Sequence, residues 1–397
     1  MARRRSLNGR SLCRRSLCRR LCLLAAGGQY ARGTRVPVVQ HGALLLHANG
    51  TLRVDTSVDV PRFDPGPEAV AFMREQGYVV IRGVANASEL AHAHELLWAF
   101  LEGAGVGVAR DRPETWIRSA PNQYGIVWEY GVGQSRLMWF LRTRPRLLRM
   151  FARLWGTADL IASFEGFSMF PPAAQEPEWS LATSWLHTDQ NAASRAGLQT
   201  VQSFTSLYDQ DEDTGAFVVV PRSWEAHAEL SRRVLAARPD TDPSQHFLMV
   251  PRNDPLLLQP HAPPHLVRCR AGDAVLWDSR TVHCNTPSLS EAGAPPRDDN
   301  GAPRPSRVVG YCSAAPRARA SAKVLRQRQH AFVAGGTCTH WPFDMTCLRP
   351  PAAVGQPASD PLTAAGALEK ALVGFTDGQL RAWLEGGGEA GDLFAEP

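Results

Sequence analysis

From Leu160 onward the chain is written in short apolar runs separated by turn residues: Leu160–Phe164, Val201–Tyr208, Ala216–Val220, Ala274–Trp277 and Val308–Tyr311. They are rich in Val, Phe and Tyr, which fit a pleated, half-buried surface. Each is too short for an ordinary helix. Several such runs broken by turns predict an all-β sandwich or barrel. Thirty Pro and 33 Gly agree with many turns. Helix signals come first in the chain. Glu68 to Gln76 ends at Gly77, a helix-stop residue. Asn86 and Ser88 are cap types ahead of Leu90, Ala93, Leu97 and Leu101 at helical spacing. Arg142 to Trp155, with Pro145 near its start, reads as another helix, and Tyr78–Ile81 as a strand. Ala43 to Val60 alternates loosely as a leading strand. The expected class is mainly β, with flanking helices on one outer face.

Three segments follow from composition. Residues 1–54 hold no acid and 11 of the 43 basic residues, all Arg. The net charge of +5 therefore hides a body that is mildly acidic, 32 basic against 38 acidic residues. An acidic body disfavours nucleic acid as a partner, which needs a positive face on the folded part. The Arg-rich, Ser-containing start is an expected targeting or disordered arm of an organelle (mitochondrion or plastid), with a secretory segment second and a cytoplasmic protein otherwise. No apolar run reaches the roughly 18 residues of an ordinary membrane span. Residues 55–349 form the expected folded domain. Residues 350–397 are a Pro- and Ala-rich linker, a helix over Leu368–Glu385 broken near Gly374–Gly378, and an acidic tail. Five Cys lie scattered through the body without a Cys-x-x-Cys pair, so they read as reduced, buried thiols.

The chemistry concentrates at His187 and Asp189. On a strand these two project to one face. An imidazole and a carboxylate presented together are two cis ligands for a divalent metal. A second His would complete the facial triad that suits non-haem Fe(II) and leaves positions open. His283 is the candidate, placed after the strand Ala274–Asp278. His-x-Asp alone is a weak signal, since a His near a strand end is often a satisfied polar residue.

It stands in an ordered series. Trp185-Leu186-His187-Thr188-Asp189-Gln190 is followed by Val201–Leu207, by Gly215-Ala216-Phe217-Val218-Val219-Val220-Pro221, and by Gly272–Asp278 running into His283. The series resembles the phytanoyl-CoA dioxygenase family of Fe(II)- and 2-oxoglutarate-dependent oxygenases, over roughly residues 68 to 345. The resemblance implies a double-stranded β-helix, a jelly-roll, cupin-like core shaped as a squashed barrel. It implies Fe(II) on His187, Asp189 and His283, and 2-oxoglutarate as cosubstrate. Its far carboxylate would pair with an Arg opening the strand after the distal His: Arg307, with Arg304 as rival. Gln190 and Asn285 are further expected cosubstrate contacts, and Cys284 is expected in the core. The implied activity is hydroxylation of a small-molecule or lipid-like substrate by O₂, with release of succinate and CO₂. A non-catalytic metal-binding barrel is the alternative. Asp189 disfavours halogenation, which needs that ligand position empty.

The chain departs from the family pattern in places. Pro221-Arg222-Ser223-Trp224 replaces a Pro-Gly-Ser-His turn. Met169-Phe170-Pro171-Pro172 lacks the basic residue often found there. The insertion Ser288–Ser306 is expected to border the site, and Cys338 with His340 is a weak second metal pattern.

Overall fold

The computed structural model describes residues 54–376, apart from 120–121, 123, 171, 173–184, 243–244, 252–253, 258–263, 289–295, 299–300, 347 and 350–364, together with Gln40–His41 and Leu44–Leu45. The basic arm, the Pro- and Ala-rich linker, the acidic tail and much of the 288–306 insertion lie outside the described residues.

Nine strands carry the core: β1 Tyr78–Ile81, β2 Phe167–Phe170, β3 His187–Thr188, β4 Val201–Ser206, β5 Ala216–Val219, β6 His265–Val267, β7 Ala274–Asp278, β8 His283–Thr286 and β9 Arg307–Tyr311. They form two sheets. The long one runs Arg62–Phe63, β1, β7, β4, β9, β2, Ile126–Val127. The short one runs Leu248–Met249, β3, β8, β5, β6. From β2 to β9 the chain passes back and forth between them, entering the long sheet at β2, β4, β7 and β9. Eight strands wound this way make a double-stranded β-helix, or jelly roll. The sheets face each other as an open sandwich, not a closed barrel.

Alternation along each strand sorts the faces. Val275 and Trp277 of β7 and Phe204 of β4 join Phe217, Val219 and Val267 of the short sheet in one buried cluster between the sheets. Ala274, Leu276 and Val201 point outward and are buried under helices instead.

Those helices are α1 Pro67–Gln76, α2 Ala87–Gly103, α3 Arg136–Arg142, α4 Pro145–Trp155, α5 His227–Ala237, α6 Ala322–Val333 and α7 Ala367–Val373. Gly77 ends α1 at φ 82°, and a Cβ there would meet the Thr281 hydroxyl at 2.4 Å. The bare backbone is what lets α1 pass so close to the turn before β8. Asn86 and Glu89 form a reciprocal capping box on α2. The single helix expected over Arg142–Trp155 begins only at Pro145. Arg142 belongs to α3, because the residue before a proline is held extended and Pro145 suits a first helical position. α7 stops at Gly374, φ 113°, and the helix expected beyond it lies outside the described residues. Leu372, Val373 and Phe375 are buried in the same cluster as Ile81 and Leu276. The helix that composition assigns to a separate tail therefore packs onto the folded body. Among the described residues no helix is long and apolar enough to cross a membrane.

Candidate active site

His187 on β3 and His283 on β8 face each other across the ladder. Asp189 follows β3, where its backbone N–H donates to Ser279 O at 3.0 Å. One ligand atom from each residue falls within 4.8 Å of the other two. His187 Nε2 lies 3.4 Å from Asp189 Oδ1, and His283 Nε2 lies 3.2 Å from Oδ2. Both Nδ1 atoms are turned away, onto Trp185 O at 3.0 Å and Thr281 O at 2.8 Å. A ring held this way donates from Nδ1 and keeps its Nε2 lone pair for a metal. The Trp185 ring stacks on His187 at 4.5 Å and 9°.

Charge states agree. Burial alone would raise the Asp189 carboxyl, but His187 and His340 outweigh it and hold the group well below the carboxylate range. Burial, with His187 adding to it, pushes His283 down. A neutral imidazole beside an ionised carboxylate is what a divalent cation requires. The donor set fits Fe(II), and these three side chains could hold it.

The other end of the inner face holds Arg307. It opens β9 opposite Phe170 and is fully buried. Nε donates to Gln210 Oε1 at 2.7 Å and Nη2 to Asn285 Oδ1 at 2.9 Å. Nη1 is buried with no partner. The guanidinium lies over Phe170 at 4.9 Å and Phe204 at 5.2 Å. Burial lowers its pKa, yet a guanidinium stays charged at neutral pH. A buried cation with a free N–H and no carboxylate among the described residues has room for one from a ligand. The far carboxylate of 2-oxoglutarate matches that unpartnered donor in charge and hydrogen bonding.

Asn285 joins this end through its hydrogen bond with Arg307. Gln190 does not. Its Oε1 accepts from Ser279 Oγ at 2.8 Å and from Gln199 N at 3.3 Å. Its Nε2 donates to Arg195 O and Gly197 O. All four capacities of the amide are used within the fold, which leaves none for a cosubstrate. The reason is alternation: a residue directly after Asp189 turns to the other side of the chain. Arg304 is also placed apart, over the Tyr208 ring at 4.5 Å. Cys284 is core, and Cys269, Cys284, Cys312 and Cys338 are buried free thiols. Cys338 and His340 form no metal group among the described residues.

Sequence reasoning misses three supports. Gln202, on the inner face of β4, donates to Asp189 Oδ2 at 2.8 Å. Gln210 orients Arg307. His340 Nε2 lies 3.2 Å from Asp189 O, bringing the 337–346 segment against the metal group. Only Gln202 had a usable signal, a polar residue at an inner position of an apolar strand.

The family model of phytanoyl-CoA dioxygenase matches residues 73–294, more than half of the 397. The chain belongs to the phytanoyl-CoA dioxygenase family. It is a 2-oxoglutarate-dependent dioxygenase, with iron and 2-oxoglutarate as its cofactors. The matched span holds His187, Asp189 and His283 but ends before Arg307, whose place rests on the geometry above. Ava biosynthesis cluster protein O of Aspergillus versicolor is 26% identical over 245 residues, 59% of this chain and 78% of that protein. Among solved structures, the carbocyclase SnoK from nogalamycin biosynthesis is 21% identical, covering 64% of this chain and 86% of its own, with a TM-score of 0.39. HygX of Streptomyces hygroscopicus, solved with nickel and 2-oxoglutarate, is 17% identical over 63% and 87%, with a TM-score of 0.39.

Proposed function

We propose that this dioxygenase hydroxylates a small-molecule or lipid-like substrate, with release of succinate and CO₂. The observation that carries the reading is the pairing of one three-ligand group with one unsatisfied buried cation on the same inner face. With iron and 2-oxoglutarate bound, the centre would supply activated oxygen while the cosubstrate is oxidised to succinate. The chain's own part is to bind, orient and exclude water. His187, Asp189 and His283 occupy one side of the centre and leave the rest free for cosubstrate and O₂. Trp185 and the backbone carbonyls of Trp185 and Thr281 hold the imidazole planes. Gln202 keeps Asp189 from turning. Arg307, gripped by Gln210 and Asn285, fixes the cosubstrate in one direction. Phe170, Phe204 and Phe217 keep the cleft dry, which strengthens each of these charge contacts. The curated relative's place in a biosynthesis cluster supports a small-molecule substrate here. The Arg-rich start supports an organellar address.

The test is succinate release with Fe(II), 2-oxoglutarate and O₂, screened over acyl-CoAs, free lipids and small amines. Substrate-dependent succinate above the uncoupled rate supports the reading. Metal binding without any succinate, with every candidate, would favour the non-catalytic barrel.

A further inference from the structure

The inner face carries a second buried donor that the site above does not use. Trp277 stands on β7 directly opposite Gln202, the residue that holds the Asp189 carboxylate. Its side chain is 3% exposed, and its indole Nε1 is buried with no hydrogen-bond partner. A buried indole N–H usually finds an acceptor, so an orphan calls for a reason. The ring lies 5.3 Å from the metal-group ring of His283 and 4.8 Å from Phe217. It also lies 5.9 Å from Phe204, the ring over which the Arg307 guanidinium sits. Trp277 and Arg307 thus meet the same phenyl ring. Trp277 is on the side of Gln202 and His283, and Arg307 is on the side of Asn285 and Gln210. Two unpartnered donors on one face, separated by one aromatic ring, suit a short molecule that is an anion at both ends.

We propose that Trp277 Nε1–H binds the metal-chelating end of 2-oxoglutarate, donating to an oxygen of its keto-acid group while Arg307 takes the far carboxylate. Once the keto acid is bound beside His283, its oxygens keep lone pairs that Trp277 Nε1–H can meet, whereas the unpartnered Ser168 hydroxyl of this face lies on β2 two residues from Phe170, toward the Arg307 end. The N–H supplies that partner without adding charge next to the metal. The inference rests on the cosubstrate reading, and the experiment separates the two.

The experiment is an anaerobic titration of the Fe(II)-loaded protein with 2-oxoglutarate, followed by the visible absorption of the iron–keto-acid chelate. A parallel titration uses 2-oxobutanoate, which has the keto-acid end and lacks the far carboxylate. Trp277→Phe keeps a ring and removes the N–H. It should weaken 2-oxoglutarate ten- to a hundredfold, or about 1.4–2.8 kcal/mol at 1.4 kcal/mol per tenfold. It should weaken 2-oxobutanoate by the same factor, with Fe(II) affinity and the thermal midpoint unchanged. Should Trp277→Phe fail to fold, 3-benzothienylalanine at position 277 keeps the shape and replaces N–H by sulfur. Unchanged affinity for 2-oxoglutarate overturns the inference. So does a loss confined to 2-oxoglutarate, which would move the N–H to the far end. If the wild type gives no chelate absorption at all, the cosubstrate reading fails first and this inference falls with it.

Discussion

Arg307 and Arg328 are both fully buried, and neither meets a carboxylate among the described residues. Arg328, on α6, directs its guanidinium onto four backbone carbonyls: Val373 at 2.9 Å, Pro342 at 2.7 Å, Ala162 at 2.6 Å and Leu372 at 2.9 Å. It ties α7, the 337–346 segment and the strand Leu160–Ala162 to one point. Arg307 donates to two side-chain amides, has the Tyr311 hydroxyl nearby, and keeps Nη1 without a partner. The same side chain at the same burial therefore serves opposite ends. A guanidinium spent on backbone carbonyls is a fastening, and one with a buried nitrogen left unpartnered on the inner face can still take an anion. Unmet hydrogen-bond capacity separates the two better than burial or charge does.

The comparison breaks first at Arg328. Arg328→Ala strands four buried carbonyls, and each buried group left unpaired costs about 1–3 kcal/mol. Chemical denaturation should show a loss of about 4 kcal/mol or more, four groups at the low end of that range. A loss under about 1 kcal/mol would mean the carbonyl contacts stabilise nothing.

Gln210 sharpens the other side. Gln210→Ala removes the acceptor that aims Arg307, and a hydrogen bond to a charged group is worth about 1.5–3 kcal/mol. The expected result is 2-oxoglutarate bound about tenfold more weakly, with a small stability change. A stability loss with unaltered cosubstrate affinity would class Arg307 with Arg328.

His340 tests the seam that Arg328 closes. Burial pushes its pKa down to about 4, against about 6.5 in an unfolded chain. The unfolded state therefore takes the proton first. Stability present above pH 6.5 is lost as pH falls toward 4. His340→Gln cannot titrate, so between pH 7 and 5 the wild type should lose about 2 kcal/mol more than the variant. Parallel stability curves would place His340 in water.

The smallest effect is at Arg222, in the turn after β5. It adopts φ 60° on the exposed surface beside Glu225. That left-handed conformation favours glycine, so Arg222→Gly should be neutral or stabilising by up to about 1 kcal/mol in thermal melts. A clear destabilisation would show the Glu225 contact outweighing the strain.

What was legible follows from periodicity. His187 with Asp189, and His283 with Asn285, sit at spacings of two that put chemistry on one face, and β4, β5, β7 and β9 announce themselves as apolar runs. β2 and β8 were harder, because Ser168, His283 and Asn285 give strands with a polar inner face. Gln190 was expected at the cosubstrate from its adjacency to Asp189, while its amide hydrogen-bonds within the fold. Arg328 lies in Arg326-Gln327-Arg328-Gln329-His330, a polar run that reads as a solvated helix face. Only the tertiary arrival of residues 342 and 372–373 makes its burial necessary. His340 reaches Asp189 through the same closure, which no local pattern encodes.

The central claim is that the inner face holds a metal at one end and Arg307 ready for a carboxylate at the other. The most direct measurement is the 2-oxoglutarate dissociation constant of the Fe(II)-loaded Arg307→Ala protein, with Arg304→Ala alongside. Leaving a desolvated carboxylate unpaired costs about 2–5 kcal/mol, so Arg307→Ala should weaken binding by a factor of about 30 to several thousand. Fe(II) affinity should hold, and Arg304→Ala should match the wild type. Equal affinities in all three proteins, or a loss confined to Arg304→Ala, would contradict the account.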